Sequence, residues 1–181
     1  MTLTATRRRT VFSLSAPSTP RLHLQPASSA NTLLDGAWWP RSTDPVAELP
    51  GLVLAIDALH GPVKRLMLNR LDWDSHPRRL GIAGRVVHVG YFASQPTSLL
   101  TALSGTSGDR VDLLIVPPDI DGGAAAAAMA LAATPGNQIH ADHILQTVRT
   151  PHLSAIDDLP EDTWEGEGGR LASRLTSVAS R

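Results

Sequence analysis

The sequence predicts an α+β domain of two layers, a mainly antiparallel sheet covered by two helices. Three observations carry that expectation. Short alternating or β-branched runs recur between residues 21 and 116. Helix starts stand far apart, at Asp44-Pro45 and at Asp119 or Asp121, so the regular strand–helix alternation of a doubly wound fold is missing. Short turns separate the later runs, which implies antiparallel hairpins. A chain of 181 residues that is 42% hydrophobic can bury one core, so a single domain is expected.

The elements follow in order. Residues 1–20 are rich in Thr, Ser, Arg and Pro and read as a disordered arm. Arg21-Leu22-His23-Leu24-Gln25 alternates polar and apolar side chains, and Pro26 ends it as an edge strand. Asp35-Gly36 is a tight-turn dipeptide that leads into Trp38-Trp39. Pro45 at the first helical position and Asp44 as its cap open a helix whose apolar stripe is Val46, Leu49, Leu52, Val53, Ile56 and Leu59. Pro50 within it predicts a kink or a preliminary turn.

Strands are then expected at Val63–Leu71, Gly84–Phe92, Ser98–Leu103 and Arg110–Val116, the last halted by Pro117-Pro118. Residues 72–79 read as a polar connection. The alanine-rich run to Ala133 is the second helix, and Ile139–Val148 suggests a third, shorter one. The single domain is placed at 21–148, and 149–181 reads as an acidic, mostly flexible tail carrying Asp157, Asp158, Glu161, Asp162, Glu165 and Glu167.

Composition removes several function classes. A net charge of -1 gives the whole molecule no general attraction to nucleic acid or membrane. The chain has no cysteine, which excludes disulfides, thiolate catalysis and cysteine-ligated metal centres. No apolar run reaches the roughly 18 residues that cross a bilayer. Thr6–Phe12 looks like a twin-arginine signal, but Ser13–Ser18 stands where the apolar region would follow. A cytoplasmic protein is expected. No P-loop, G-x-G-x-x-G or G-x-S-x-G occurs, so no motif names a cofactor or a nucleophile.

What remains is a set of weaker constellations. Two adjacent Trp on a strand point to opposite faces, one into the core and the other onto the second face or into a groove. Arg41 nearby offers a cation for stacking; packing of both rings accounts for them as well, and buried aromatic anchors are commoner than aromatic binding sites. His140 and His143 share a helix face and need a third ligand, from His60 or His76, to hold a metal. Asp72, Asp74 and His76 fall within five residues and supply acid/base groups if a dry cleft encloses them. Asp121-Gly122-Gly123 offers free N–H groups to an anion, although its carboxylate already has a capping role. Lys64, Arg65, Arg70, Arg78, Arg79 and Arg85 make the middle of the chain basic, against the acidic tail. That contrast fits a surface for an acidic partner or for RNA, with Trp73 and Tyr91 available for stacking. It fits equally an internal match with the tail, or a solvated mixed surface.

The stretches Arg21–Pro26, Leu34-Asp35-Gly36-Ala37-Trp38-Trp39-Pro40-Arg41-Ser42 and Asp112–Pro118 resemble a family of small actinobacterial proteins classed as a domain of unknown function. The resemblance spans about residues 21–148 and implies lineage and compartment, with no activity and no catalytic residue to carry over. His140 and His143 lie outside its recognisable motifs. The reading that follows is a non-enzymatic module that binds a small molecule or a protein through Trp38, Trp39, Arg41, Arg65, Arg70 and Arg85. A small enzyme working with carboxylates near the Trp pair, and an RNA-binding sheet, stand as alternatives.

Overall fold

Asp44 accepts a hydrogen bond from the Val46 N–H at 2.9 Å, and Pro45 follows it, so the first helix, α1 (Pro45–His60), starts where the sequence placed it. A computed structural model describes residues 9–25, 32–105 and 109–149. Within them the strands are β1 (Val11–Phe12), β2 (Arg21–Leu24), β3 (Gly36–Trp39), β4 (Val63–Asn69), β5 (Arg79–Ile82), β6 (Arg85–Phe92), β7 (Leu99–Ser104) and β8 (Arg110–Ile115). The other helices are α2 (Gly122–Ala132) and α3 (Ala141–Arg149), and a single 3-10 turn spans Arg70–Asp72.

The eight strands form one sheet in the order β1-β5-β6-β4-β7-β8-β3-β2. It is mixed, which corrects the mainly antiparallel expectation. The β1–β5, β3–β8 and β4–β6 pairs are parallel and the remaining four neighbours antiparallel. The hairpins β5–β6 and β7–β8 are there, but β4 lies between β6 and β7, and β7 and β8 lie between β4 and β3. Sequence neighbours are therefore not always sheet neighbours, the usual assumption that here fails.

The two-layer expectation is corrected as well. Residues of α1 (Leu49, Leu52, Val53, Ile56) join one core cluster with Trp38, Leu66, Leu100 and Leu113. Residues of α2 and α3 (Ala125, Ala128, Ala132, Ile144) join a second with Ala37 and Leu114. Trp38 and Ala37 are successive on β3, as Leu113 and Leu114 are on β8, and successive side chains take opposite faces. Helices thus cover both sides: α1 on one, α2 and α3 on the other. Alanine at 125, 128 and 132 leaves no side chain to hold α2 off the sheet.

Three local expectations also change. Pro50 is buried inside an uninterrupted α1; it forgoes one N–H, near the helix start, while the apolar stripe around it is fully packed. Leu59, assigned to that stripe, is 67% exposed. Within the arm at 1–20, Val11 and Phe12 pair with β5, and the Ser18 carbonyl passes over Gly51 of α1. The acidic tail beyond Arg149 lies outside the described residues. Among those described, no helix is long and apolar enough to cross a membrane.

Candidate functional site

Strand directions decide where a site can form. β3, β8, β4 and β6 all point the same way, so their C-terminal ends share one edge of the sheet. β3 and β8 are adjacent there, yet the chain leaves β3 for α1 on one face and β8 for α2 on the other. Where neighbouring parallel strands send their helices to opposite faces, a crevice opens outside their carboxyl ends.

A cleft of about 380 Å3 occupies that position. Its walls come from three separate stretches: Pro40–Thr43 after β3, Leu71–Trp73 after β4, and Pro117–Asp119 after β8, with Ser98 closing one side. The local sequence fixes each wall. Pro40 and Pro117-Pro118 end their strands, and Asp44 and Asp121 cap the helices that follow. Asn69 accepts from the Leu71 N–H at 2.8 Å and turns the chain so that Asp72 and Trp73 face the cleft.

Asp72 is the chemically distinct group. It accepts from the Ser98 N–H at 3.1 Å, and burial raises its carboxyl above the ordinary carboxylate value, an effect the Ser98 bond partly offsets. Asp119, also in the wall, is exposed. Thr43 donates to Asp74 at 2.6 Å and Ser42 to Glu48 at 2.9 Å, which orients both hydroxyls. The floor is Trp73, buried and stacked on Trp38 with centroids 5.8 Å apart and planes 18° from parallel. Its indole Nε1 is buried without a hydrogen-bond partner.

The six residues named from the sequence do not converge. Trp38 is 1% exposed and belongs to the α1 core. Trp39 lies on the other face, and the cation over its ring is Arg21, 3.5 Å from the centroid, rather than Arg41. Arg21 also donates to the Trp39 and Pro40 carbonyls at 3.0 and 2.6 Å, whereas Arg41 is exposed and donates to the Thr19 carbonyl. Arg85 is ion-paired to Asp57 of α1. Arg65 is exposed on β4, and Arg70 lies beyond it in the 3-10 turn.

Among the acid/base candidates, Asp72 lines the cleft, while Asp74 and His76 are exposed and His76 bonds the Arg70 carbonyl at 2.8 Å. His140 and His143 lie edge to face, 6.3 Å apart, in a separate cleft with Arg110 and Asp112. Among the described residues no group of three or more His, Asp or Glu side chains is arranged to hold a metal ion. The Asp121 carboxylate bonds the N–H groups of Gly123 and Ala124, at 2.8 and 3.2 Å, where an anion would sit. Sequence reasoning missed Ser42, Thr43 and Ser98 and considered Asp119 as a helix cap, a role that Asp121 fills. One signal was available: a Pro-ended strand followed by an Asp-capped helix occurs twice, the mark of two parallel strand–helix units.

The model of a family of unknown function, DUF5994, matches residues 21–132. The chain belongs to that family. No curated protein and no solved structure matches it. Every residue of the cleft at the β3 and β8 ends falls within the DUF5994 match, whereas His140 and His143 of the other cleft fall beyond it.

Proposed function

We propose that this DUF5994 domain is a ligand-binding module whose pocket is the cleft beyond β3, β4 and β8. The observation that carries the reading is the switch point itself: adjacent parallel strands with diverging helices leave a concave site of ligand size. The wall chemistry selects the ligand class. It offers two carboxyl groups and two oriented hydroxyls over an indole, and no Lys, Arg or His. Such a wall repels anions and favours a small molecule bearing hydroxyl or amine groups. The test is a thermal-shift titration of the full chain with glucosamine and with spermidine. A ligand at 100-fold its Kd adds about 2.7 kcal/mol, roughly 5–10 °C in a domain this size. Asp72→Asn should abolish the shift. Two flat titrations, or a shift that survives the substitution, would sink the assignment.

The environment of Asp72 supports a second reading, an acid/base enzyme on the same ligand class. A half-buried carboxyl with raised proton affinity facing the same cleft as an exposed one is the pairing that separates acid from base. Turnover of a hydroxylated compound that is lost in both Asp72→Asn and Asp119→Asn would favour catalysis over binding.

A further inference from the structure

α2 packs on β2, β3 and β8 with α3 against it, and beyond them no helix among the described residues covers the same face of β4, β5 and β6. Register places a row of side chains across that uncovered face. Arg79 of β5 pairs with His88 of β6, His88 with Arg65 of β4, and Arg65 with Leu103 of β7. Arg65 and His88 are exposed, and Met67 lies beside the row one pleat further on. Arg110 of β8 continues the row but is ion-paired to Asp112 at 2.6 Å, so its charge is already matched.

Two aromatic rings flank the cations. Phe12 pairs with Gly81 in register, and its ring occupies the space where a Gly81 side chain would stand. The Phe92 ring does the same over Gly90. Glycine at both positions lets a ring rest on bare backbone, and the rings remain 64% and 46% exposed. Gly81 pairs with Val86, so the two rings are four residues apart along β6, about 13 Å at 3.3 Å per residue. A cleft of about 220 Å3 lies at the C-terminal end of β6, bordered by Gly90 and Phe92 and also by Val89 and Tyr91 of the α1 side, with Arg70, Arg78 and His76 around it and no carboxylate in its lining. Along β6 the uncovered face therefore runs ring, cationic row, ring, and the cationic cleft stands at the end of the strand.

We propose that this face binds single-stranded RNA. Unpaired bases stack on exposed rings held flat to a sheet, and phosphates lie over the arginines between and beyond them. An acidic protein would use the cations but has no need of two exposed rings rested on glycines. The rings that carry stacking are thus Phe12 and Phe92. Trp73 is buried and Tyr91 half-buried on the α1 side of the sheet, so neither serves as a platform.

The test is fluorescence anisotropy of the full chain with a labelled 12-nucleotide oligouridine. With three exposed arginines on phosphates (65, 70 and 78), affinity should fall about twenty-fold between 50 and 200 mM salt. Arg65→Gln with Arg70→Gln should cut the slope of log affinity against log salt to about a third. Phe92→Ala should weaken binding about five- to a hundred-fold and leave the slope unchanged. All three side chains are exposed, and a thermal melt checks that each variant folds; Arg70→Gln alone repeats the slope test with the sheet untouched. Absence of binding at 50 mM salt overturns the proposal. So does binding that ignores Phe92, equal affinity for duplex DNA, or tighter binding of a polyglutamate of matched charge, which would make the partner an acidic protein.

Discussion

The two faces of the sheet are built on opposite plans. On one, α1 and buried side chains from six strands, β3 to β8, seal a continuous core around the stacked pair Trp38–Trp73. On the other, a helix of alanines presses close over three strands, and no helix among the described residues covers the remainder. Stability is concentrated on the first face, where large apolar side chains leave water completely. The second keeps what a packed core would consume: exposed arginines and two exposed rings. The cleft at the strand ends instead borrows its floor, Trp73, from the packed face.

The adjacent tryptophans test that contrast most severely. Trp38→Ala opens a cavity beneath α1 and should cost about 3–5 kcal/mol in urea denaturation. Trp39→Ala removes a half-buried ring capped by Arg21 on the opposite face and should cost well under half as much. Equal losses would mean that the α2 side carries as much of the stability as the α1 side.

Close helix approach gives the next largest effect. Ala128 is fully buried between α2 and the sheet. Ala128→Leu forces three more carbon atoms into a contact with no room and should destabilise by about 1–3 kcal/mol. Leu59→Ser on the outer side of α1, at a site the periodicity had placed in the core, should stay within about 0.5 kcal/mol of neutral. A stabilising Ala128→Leu would show that the alanines leave a void instead of a tight seam.

How much of this could be read from the sequence follows from the range of each interaction. Both helix starts were legible because a cap and its N–H are two or three residues apart. The strands at 63–69, 85–92 and 110–115 were legible because alternation is local. β1 and β5 were not read as strands: one is two residues long, and the other is four with Gly81 among them. Strand order was illegible for a different reason. Whether β7 and β8 insert between β3 and β4 depends on pairings between residues 34 to 77 positions apart, which no local pattern encodes. The cleft inherits that difficulty, since its walls meet only once the order is set. The charge at the Trp pair shows the same limit on a smaller scale. Arg41 is two residues from Trp39, but β-pairing brings Arg21 to its ring.

The smallest expected effect lies at the boundary between the two plans. Asp72 is half-buried at the cleft, and burial holds its carboxyl above the ordinary value. The folded chain therefore keeps a proton at a pH where the unfolded chain has released it. Stability contributed by that proton is present below the ordinary carboxylate value and falls as pH rises toward the folded-state value, above which the loss is complete. Asp72→Asn cannot ionise, yet it keeps an oxygen for the Ser98 N–H. The variant should match the parent in acid and become slightly more stable near neutral pH, read as urea midpoints across pH 3–7. A gain that grew on acidification would mean that the native state favours the ionised carboxylate, and that the cleft is wet enough to solvate it. A gain confined to neutral pH would mark a site that accepts instability at rest, a cost that a cationic or hydroxylated ligand binding beside Asp72 would relieve.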